Sequence, residues 1–410
     1  MRAGRTLGVL GAMYVAQGLV YGFAAFILLP SLAAKGVALT EQTGIVALAG
    51  LPWVFKLLWG PVVDTWAAGR RGPPQLAAIA MWLVAGCLVA LGAWAPTPDH
   101  TPVLAATWLA LNVALSLQDV ATDATALDRI APDDRGLANG VMLAGHHVGF
   151  EGLGGLALGA FVASRGLPSA LWAMAAVIVV LSLAPMWIDD APANRASART
   201  FAETVATLRV VLADRGALAV AGVAAGVMFA DVLTSALSAE FWINRLHWAV
   251  EDVAARLPWV LLPANVVGYL AAGPLADRMG HRRLAAYGTV VLGGSWAVFA
   301  TLSPWWTSVP LMLGFVAVQA LATAAMYVGV HAVLMDATAA GARATHFAVL
   351  TSLLNSPRIV APLLAAPALA ALGWSGLFVA CAAVQAAWGL ALVRLPGREA
   401  APGRDRRPRP

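Results

Sequence analysis

A histidine pair followed four residues later by a glutamate, His146, His147 and Glu151 in "AGHHVGFEG", lies midway along an apolar run. His147 and Glu151 are spaced i,i+4 and share one helix face. Such a pair can ligate a metal, but two ligands are too few and no third is indicated. A proton relay suits the pair better, because imidazole titrates near neutral pH. A helix-packing hydrogen bond is the plain alternative. Arg358 follows Pro357 in a second apolar run, "LLNSPRIVAP". A guanidinium there either pairs with an acid at rest or takes a carboxylate from a bound solute. Glu151 has the opposite sign and, by helix rise, a similar depth, so the two are expected to pair, with protonation near Glu151 freeing Arg358. Asp231 sits near the middle of another apolar run.

A second constellation is acidic. In "LSLQDVATDATALDRIAPDDRG", residues 115–136, Asp119 and Asp123 are again i,i+4, at the end of an apolar stretch that begins near Val103. Lys56 and Asp64, two turns apart in "KLLWGPVVD", fall near the same level. Opposed charges at one depth suggest a gate made of Lys56, Asp64, Arg70, Arg71, Asp119, Asp123, Asp277, Arg282, Arg283 and Asp336. The static alternative is a set of solvated helix-end charges, worth about 0–1 kcal/mol per exposed pair.

The elements that carry these residues must be membrane helices. Hydrophobic residues make up 60% of the 410-residue chain and charged residues 11%, where a soluble domain carries about 25% charged residues. Apolar runs of roughly 20 residues, enough to cross the hydrocarbon core, are expected at 6–33, 41–63, 75–95, 102–126, 137–163, 168–188, 215–243, 251–275, 284–302, 308–335, 344–372 and 374–394. Strand-like alternation is absent, which argues against a membrane β-barrel. The apolar core of the first run is too long for a cleavable signal and reads as a spanning helix.

Lys and Arg fall unevenly between alternate loops. Twenty of the 26 belong to the set that includes both termini, four to the opposite set, and Lys56 and Arg358 lie inside spans. By the positive-inside rule both termini are expected in the cytoplasm, and the basic tail needs only anionic lipid, not nucleic acid. Cys87 and Cys381 lie in separate spans, with no CxxC or metal spacing. The chain also repeats itself. "GPVVDTWAAGRRG" at 60–72 returns as "GPLADRMGHRR" at 273–283, and "VATDATA" at 120–126 returns as "VLMDATA" at 333–339; both pairs are offset by 213 residues. Two six-helix halves, 1–189 and 214–394, are expected around a cytoplasmic linker, 190–213, with a basic tail at 395–410. Repeats of this kind mark secondary transporters.

The two G-P-x-x-D loops, with Arg70-Arg71 after the first and Arg282-Arg283 after the second, resemble the loop signature of the major facilitator superfamily. More narrowly, "YVAQGLVYGF" (14–23), "LPWVFKLLWGPVVD" (51–64) and "LQDVATDATALDRIAPDDRGLANGV" (117–141) resemble its AmpG-related branch. That branch includes muropeptide permeases, acetyl-CoA transporters and single-component siderophore permeases. Two departures favour the siderophore type: the branch usually carries a Tyr-Arg pair where this chain has His146-His147, and the length leaves no room for the two extra spans of muropeptide permeases. The superfamily architecture implies that Tyr14, Gln17, Tyr21, Asn112, Gln319, Tyr327 and His331 line a central cavity with His146, His147, Glu151, Asp231 and Arg358.

The expectation is a monomeric, proton-coupled importer of the bacterial inner membrane, carrying an amphiphilic anionic solute that is siderophore-like or muropeptide-like. A proton-coupled exporter and a transport-inactive sensor on the same fold are the alternatives. No nucleophile–base set argues for an enzyme, no phosphate-binding G-x-x-x-x-G-K-[ST] for an ATP-driven pump, and no ring motif for a channel. No cofactor is expected.

Overall fold

The computed structural model describes residues 2–28, 39–68, 72–94, 101–188, 201–238, 240–248, 250–338 and 343–395. Arg70, Arg71 and the basic tail lie outside them. All regular structure among the described residues is helical. In a hydrocarbon medium each backbone amide must be satisfied within its own segment, and apolar helices do this.

The first half comprises α1 (Arg2–Phe23), α2 (Leu39–Val54), α3 (Trp59–Ala68), α4 (Pro73–Trp94), α5 (Thr101–Arg129), α6 (Arg135–His147), α7 (Leu158–Arg165) and α8 (Leu167–Leu181). After a connecting helix, α9 (Phe201–Ala213), come α10 (Arg215–Ala236), α11 (Val250–Met279), α12 (His281–Thr301), α13 (Val309–Ala337), α14 (Arg343–Leu354) and α15 (Pro357–Arg394). Nine helical stretches among the described residues are long and apolar enough to cross a membrane.

The expected set of twelve differs from those nine for local reasons. The run at 41–63 is broken into α2 and α3 by a 3-10 turn, Lys56–Leu58, just past Pro52. The run at 137–163 is interrupted between α6 and α7 by a π-helical segment, Val148–Ala157, "VGFEGLGGLA", rich in glycine. The runs at 344–372 and 374–394 abut with no loop between them: within α15 two helices meet at Gly373, whose non-helical φ of 63° and ψ of 177° only glycine adopts without strain. The twelve-span arrangement therefore remains an expectation beyond the nine.

Small residues set the closest approaches. A Cβ on Gly18 would collide with the carbonyl oxygen of His146, and one on Gly149 with that of Val15. So α1 and the π-helical segment meet backbone to backbone, as small-residue seams allow in membranes. The same device joins the two halves. Gly140 faces the backbone of Tyr269, Gly273 faces that of Leu137, and Gly60 faces that of Thr345. The element pairs that touch across the halves include α6 with α11 and α13, the π-helical segment with α11, and α14 with α3, α5 and the Lys56–Leu58 turn. Connecting helix α9 packs on α3 and α14 beside this junction.

Candidate functional site

Polar side chains converge at three levels of the bundle. The first lies wholly inside the first half. On α1, Tyr14, Gln17 and Tyr21 recur at helical spacing and face α5 and the break after α2. Lys56, in that break, is 3% exposed, and its Nζ lies 2.7 Å from Asp119 Oδ2 and 3.8 Å from Asp123 Oδ2. The Tyr14 hydroxyl donates to Asp123 Oδ1 (3.0 Å), and Gln17 Nε2 donates to Asp119 Oδ1 (3.0 Å) and Gln118 Oε1 (2.8 Å). Asn112 accepts from Trp53 Nε1 at 3.2 Å. The match in depth of Lys56 and the α5 acids is as the sequence suggests. The group nevertheless belongs to one half, so these residues do not bridge the two.

The second level spans the halves. Glu151, 2% exposed, has both carboxylate oxygens 3.1 Å from His147 Nδ1 and accepts from Asn265 Nδ2 of α11 at 3.1 Å. The His147 ring stacks on Tyr269 of α11, centroids 4.9 Å apart, and His146 packs against Tyr21 at 5.8 Å. This corrects the expected Glu151–Arg358 pair, since Glu151 takes its partners from its own span and from α11. Asn265 and Tyr269 escaped the sequence reading. Their signal was a lone amide and a lone phenol in "LLPANVVGYL", an otherwise apolar run where such groups need partners.

Arg358 is exposed at the start of α15, and its Nε donates to Asn355 Oδ1 at 3.0 Å. It makes no ion pair among the described residues. Its charge acts on Tyr21 and His146 of the first half and on Asp231, Tyr327 and His331 of the second. Asp231 Oδ2 accepts from the Tyr327 hydroxyl at 3.2 Å, and His331 Nδ1 lies 2.9 Å from the Tyr327 carbonyl. Gln319 is half-buried on the same helix, α13. Arg358 is thus an exposed cation within electrostatic reach of polar groups of both halves.

The third level is the junction. Asp64 accepts from the Ala344 and Thr345 amides (3.1 and 2.8 Å) and the Thr345 hydroxyl (2.6 Å), at the start of α14. Asp277 accepts from the Gly136 and Leu137 amides (2.7 and 2.8 Å), at the start of α6. Each repeat-related aspartate therefore caps a helix of the opposite half, where free amides and the helix dipole favour negative charge. Asp336 pairs across the halves with Arg135 (2.9 Å) and within its own half with His281 (2.6 Å), and Arg343 reaches Asp128 at 3.4 Å. Arg282 donates to the Leu395 carbonyl, while Arg283 has no described partner role at the junction. His281 and Arg135 are junction residues that the charge pattern had left unassigned.

A sequence model of the Major Facilitator Superfamily matches residues 10–267 and 232–410. The chain belongs to that superfamily. Over 273 residues it is 28% identical to the anhydromuropeptide permease of Escherichia coli, strain K12, and equally to that of strain O157:H7. The match covers 64% of this chain and 54% of either relative, so the chain spans about half the length of the curated relatives it matches. The crystal structure of the human organic anion transporter MFSD10 (TETRAN) superposes with a TM-score of 0.71 at 14% identity, covering 95% of this chain and 97% of that one, and establishes the shared fold. With the nine apolar helices, membership of the superfamily makes this a multi-pass membrane protein.

Proposed function

We propose that the protein is a proton-coupled importer of an amphiphilic organic anion, muropeptide-like or siderophore-like, that binds at Arg358. The observation that carries this reading is the exposed guanidinium of Arg358, which makes no ion pair among the described residues and lies within electrostatic reach of Tyr21 and His146 of one half and of Asp231, Tyr327 and His331 of the other. A bound anion supplies the close carboxylate partner that no described residue provides at ion-pair distance. The permease relatives support the muropeptide-like choice, and the His146-His147 departure supports the siderophore-like one. Screening the purified protein by thermal shift against muropeptides, siderophores and acyl-CoA compounds tests it: ligands with a carboxylate should stabilise, and their neutral amides should not.

In this reading the junction at Asp64 and Asp277 closes the cytoplasmic side. An enzyme-tag fusion after Arg398, or within 190–213, should report cytoplasm. A periplasmic signal at either position contradicts the orientation. Within the same reading His147 and Glu151 couple proton movement to the relation between the halves, because Glu151 is held by a titratable imidazole on one side and Asn265 on the other. Glu151→Gln keeps the Asn265 hydrogen bond and removes the charge. It should retain substrate exchange and lose accumulation driven by a pH gradient; continued uphill uptake by this variant rejects the role.

A further inference from the structure

The Lys56 cluster holds more acid than base. Asp119 is fully committed, with Oδ2 at 2.7 Å from the Lys56 ammonium and Oδ1 receiving Gln17. Asp123 is 4% exposed, and among the described residues the Tyr14 hydroxyl is its one hydrogen-bond donor; its Oδ2 lies 3.8 Å from Lys56, beyond hydrogen-bond range. Among the described residues Lys56 is the one cation within ion-pair distance of Asp123. From α13, His331 lies within electrostatic reach of Lys56 and Asp119. From α14, packed on α5, the titratable side chains are His346 and Arg343, and Arg343 is turned to Asp128. From α3, Asp64 is engaged with α14, and α4 brings no charged side chain. Fully ionised, the cluster buries one uncompensated negative charge, which costs several kcal/mol in a low-dielectric interior.

We propose that this cluster is a one-proton site: Lys56 and Asp119 form a standing ion pair, and Asp123 holds a proton as a neutral carboxylic acid. The proton comes from water and adds to the Asp123 carboxylate, with no other bond made or broken. A sodium ion fits the geometry worse. The carboxylate oxygens already face an ammonium, an amide NH2 and a phenol hydroxyl, all donors, whereas a hard cation needs several oxygen ligands. Lys56 also lies in the break between α2 and α3. The next residue, Leu57, donates its amide to Ser352 Oγ of α14 in the other half (3.0 Å), and α3 then carries Asp64 to the junction. Loss of the Asp123 proton would draw Lys56 between two carboxylates and pull on that link. This part in driving transport rests on the carrier reading above; the standing proton itself does not.

Infrared spectroscopy of the whole protein in lipid nanodiscs reads the proton directly through the C=O stretch of a protonated carboxyl, in sodium-free buffer at neutral pH. Wild-type-minus-variant difference spectra should lose one carboxyl in Asp123→Asn. They should also lose one in Asp119→Asn, where Asp123 becomes the counterion of Lys56. Lys56→Met should gain one, since both acids then need protons. An unchanged carboxyl band in a folded Asp123→Asn or Asp119→Asn protein overturns the proposal. So does a band that sodium abolishes at constant pH, which would make this a metal-cation site. Failed uptake assays with an intact infrared pattern would reject the carrier reading and leave the proton site standing.

Discussion

Arg358→Ala is expected to abolish binding of a carboxylate solute while leaving the fold intact. Arg358 is exposed, and its recorded bond is to Asn355 of its own span, so truncation leaves no buried partner uncompensated. What disappears is the charge-assisted contact to the ligand. Such contacts cost about 2–5 kcal/mol when one partner is truncated, which is about 30-fold to several-thousand-fold in affinity. Arg358→Lys keeps the charge but loses the planar fork that matches a carboxylate, and should fall between wild type and alanine. Ligand-induced thermal shift or calorimetry measures both. Normal carboxylate binding by a folded Arg358→Ala protein removes the anion from the account.

The second large effect belongs to the junction. In Asp64→Asn and Asp277→Asn together, two helix caps lose their charge, each reaching across the halves. Asn still caps, so each change removes the charge at a helix N-terminus, worth about 0.3–2 kcal/mol; distant sites add approximately, so the closed junction should weaken by about 0.6–4 kcal/mol. Turnover should fall by about 10-fold or more, while affinity stays within a few-fold, because neither residue is among those in reach of Arg358. Spin labels on a cysteine-free background at Asp133→Cys and Thr338→Cys should show the junction populating longer distances. If binding were lost while the label distances stayed as in wild type, the junction assignment would be wrong.

The repeat explains which parts of this arrangement could be read from the chain. Asp64 and Asp277 lie at one offset, 213, and occupy equivalent places in space, each capping a helix of the other half. A short motif carries its own turn and charge, so the equivalence was visible locally. Asp123 and Asp336 share the offset but not the environment. Asp123 is buried against Tyr14 and near Lys56, whereas Asp336 meets Arg135 and His281 at the junction. The offset that relates the acids carries Lys56 to Tyr269, which stacks on His147, and Arg358 back to Gly145. The scaffold is repeated and the chemistry is not. Pairings such as Glu151 with Asn265, 114 residues apart, depend on how two helices are set against one another. Neither periodicity nor depth along one helix contains that information. The breaks at Lys56–Leu58 and Val148–Ala157 were likewise hidden inside runs apolar enough to span, although Pro52 and the glycines of "VGFEGLGGLA" mark where they fall.

The central claim is that this chain moves an anionic solute uphill at the expense of a proton gradient. Purified protein reconstituted into liposomes, with a radiolabelled carboxylate ligand from the thermal-shift screen outside and an inward proton gradient imposed, tests it most directly. The account predicts accumulation above the external concentration, collapse on adding a protonophore, and no accumulation by Arg358→Ala. Equilibration to the external concentration regardless of the gradient, or no uptake of any ligand that binds, would contradict it.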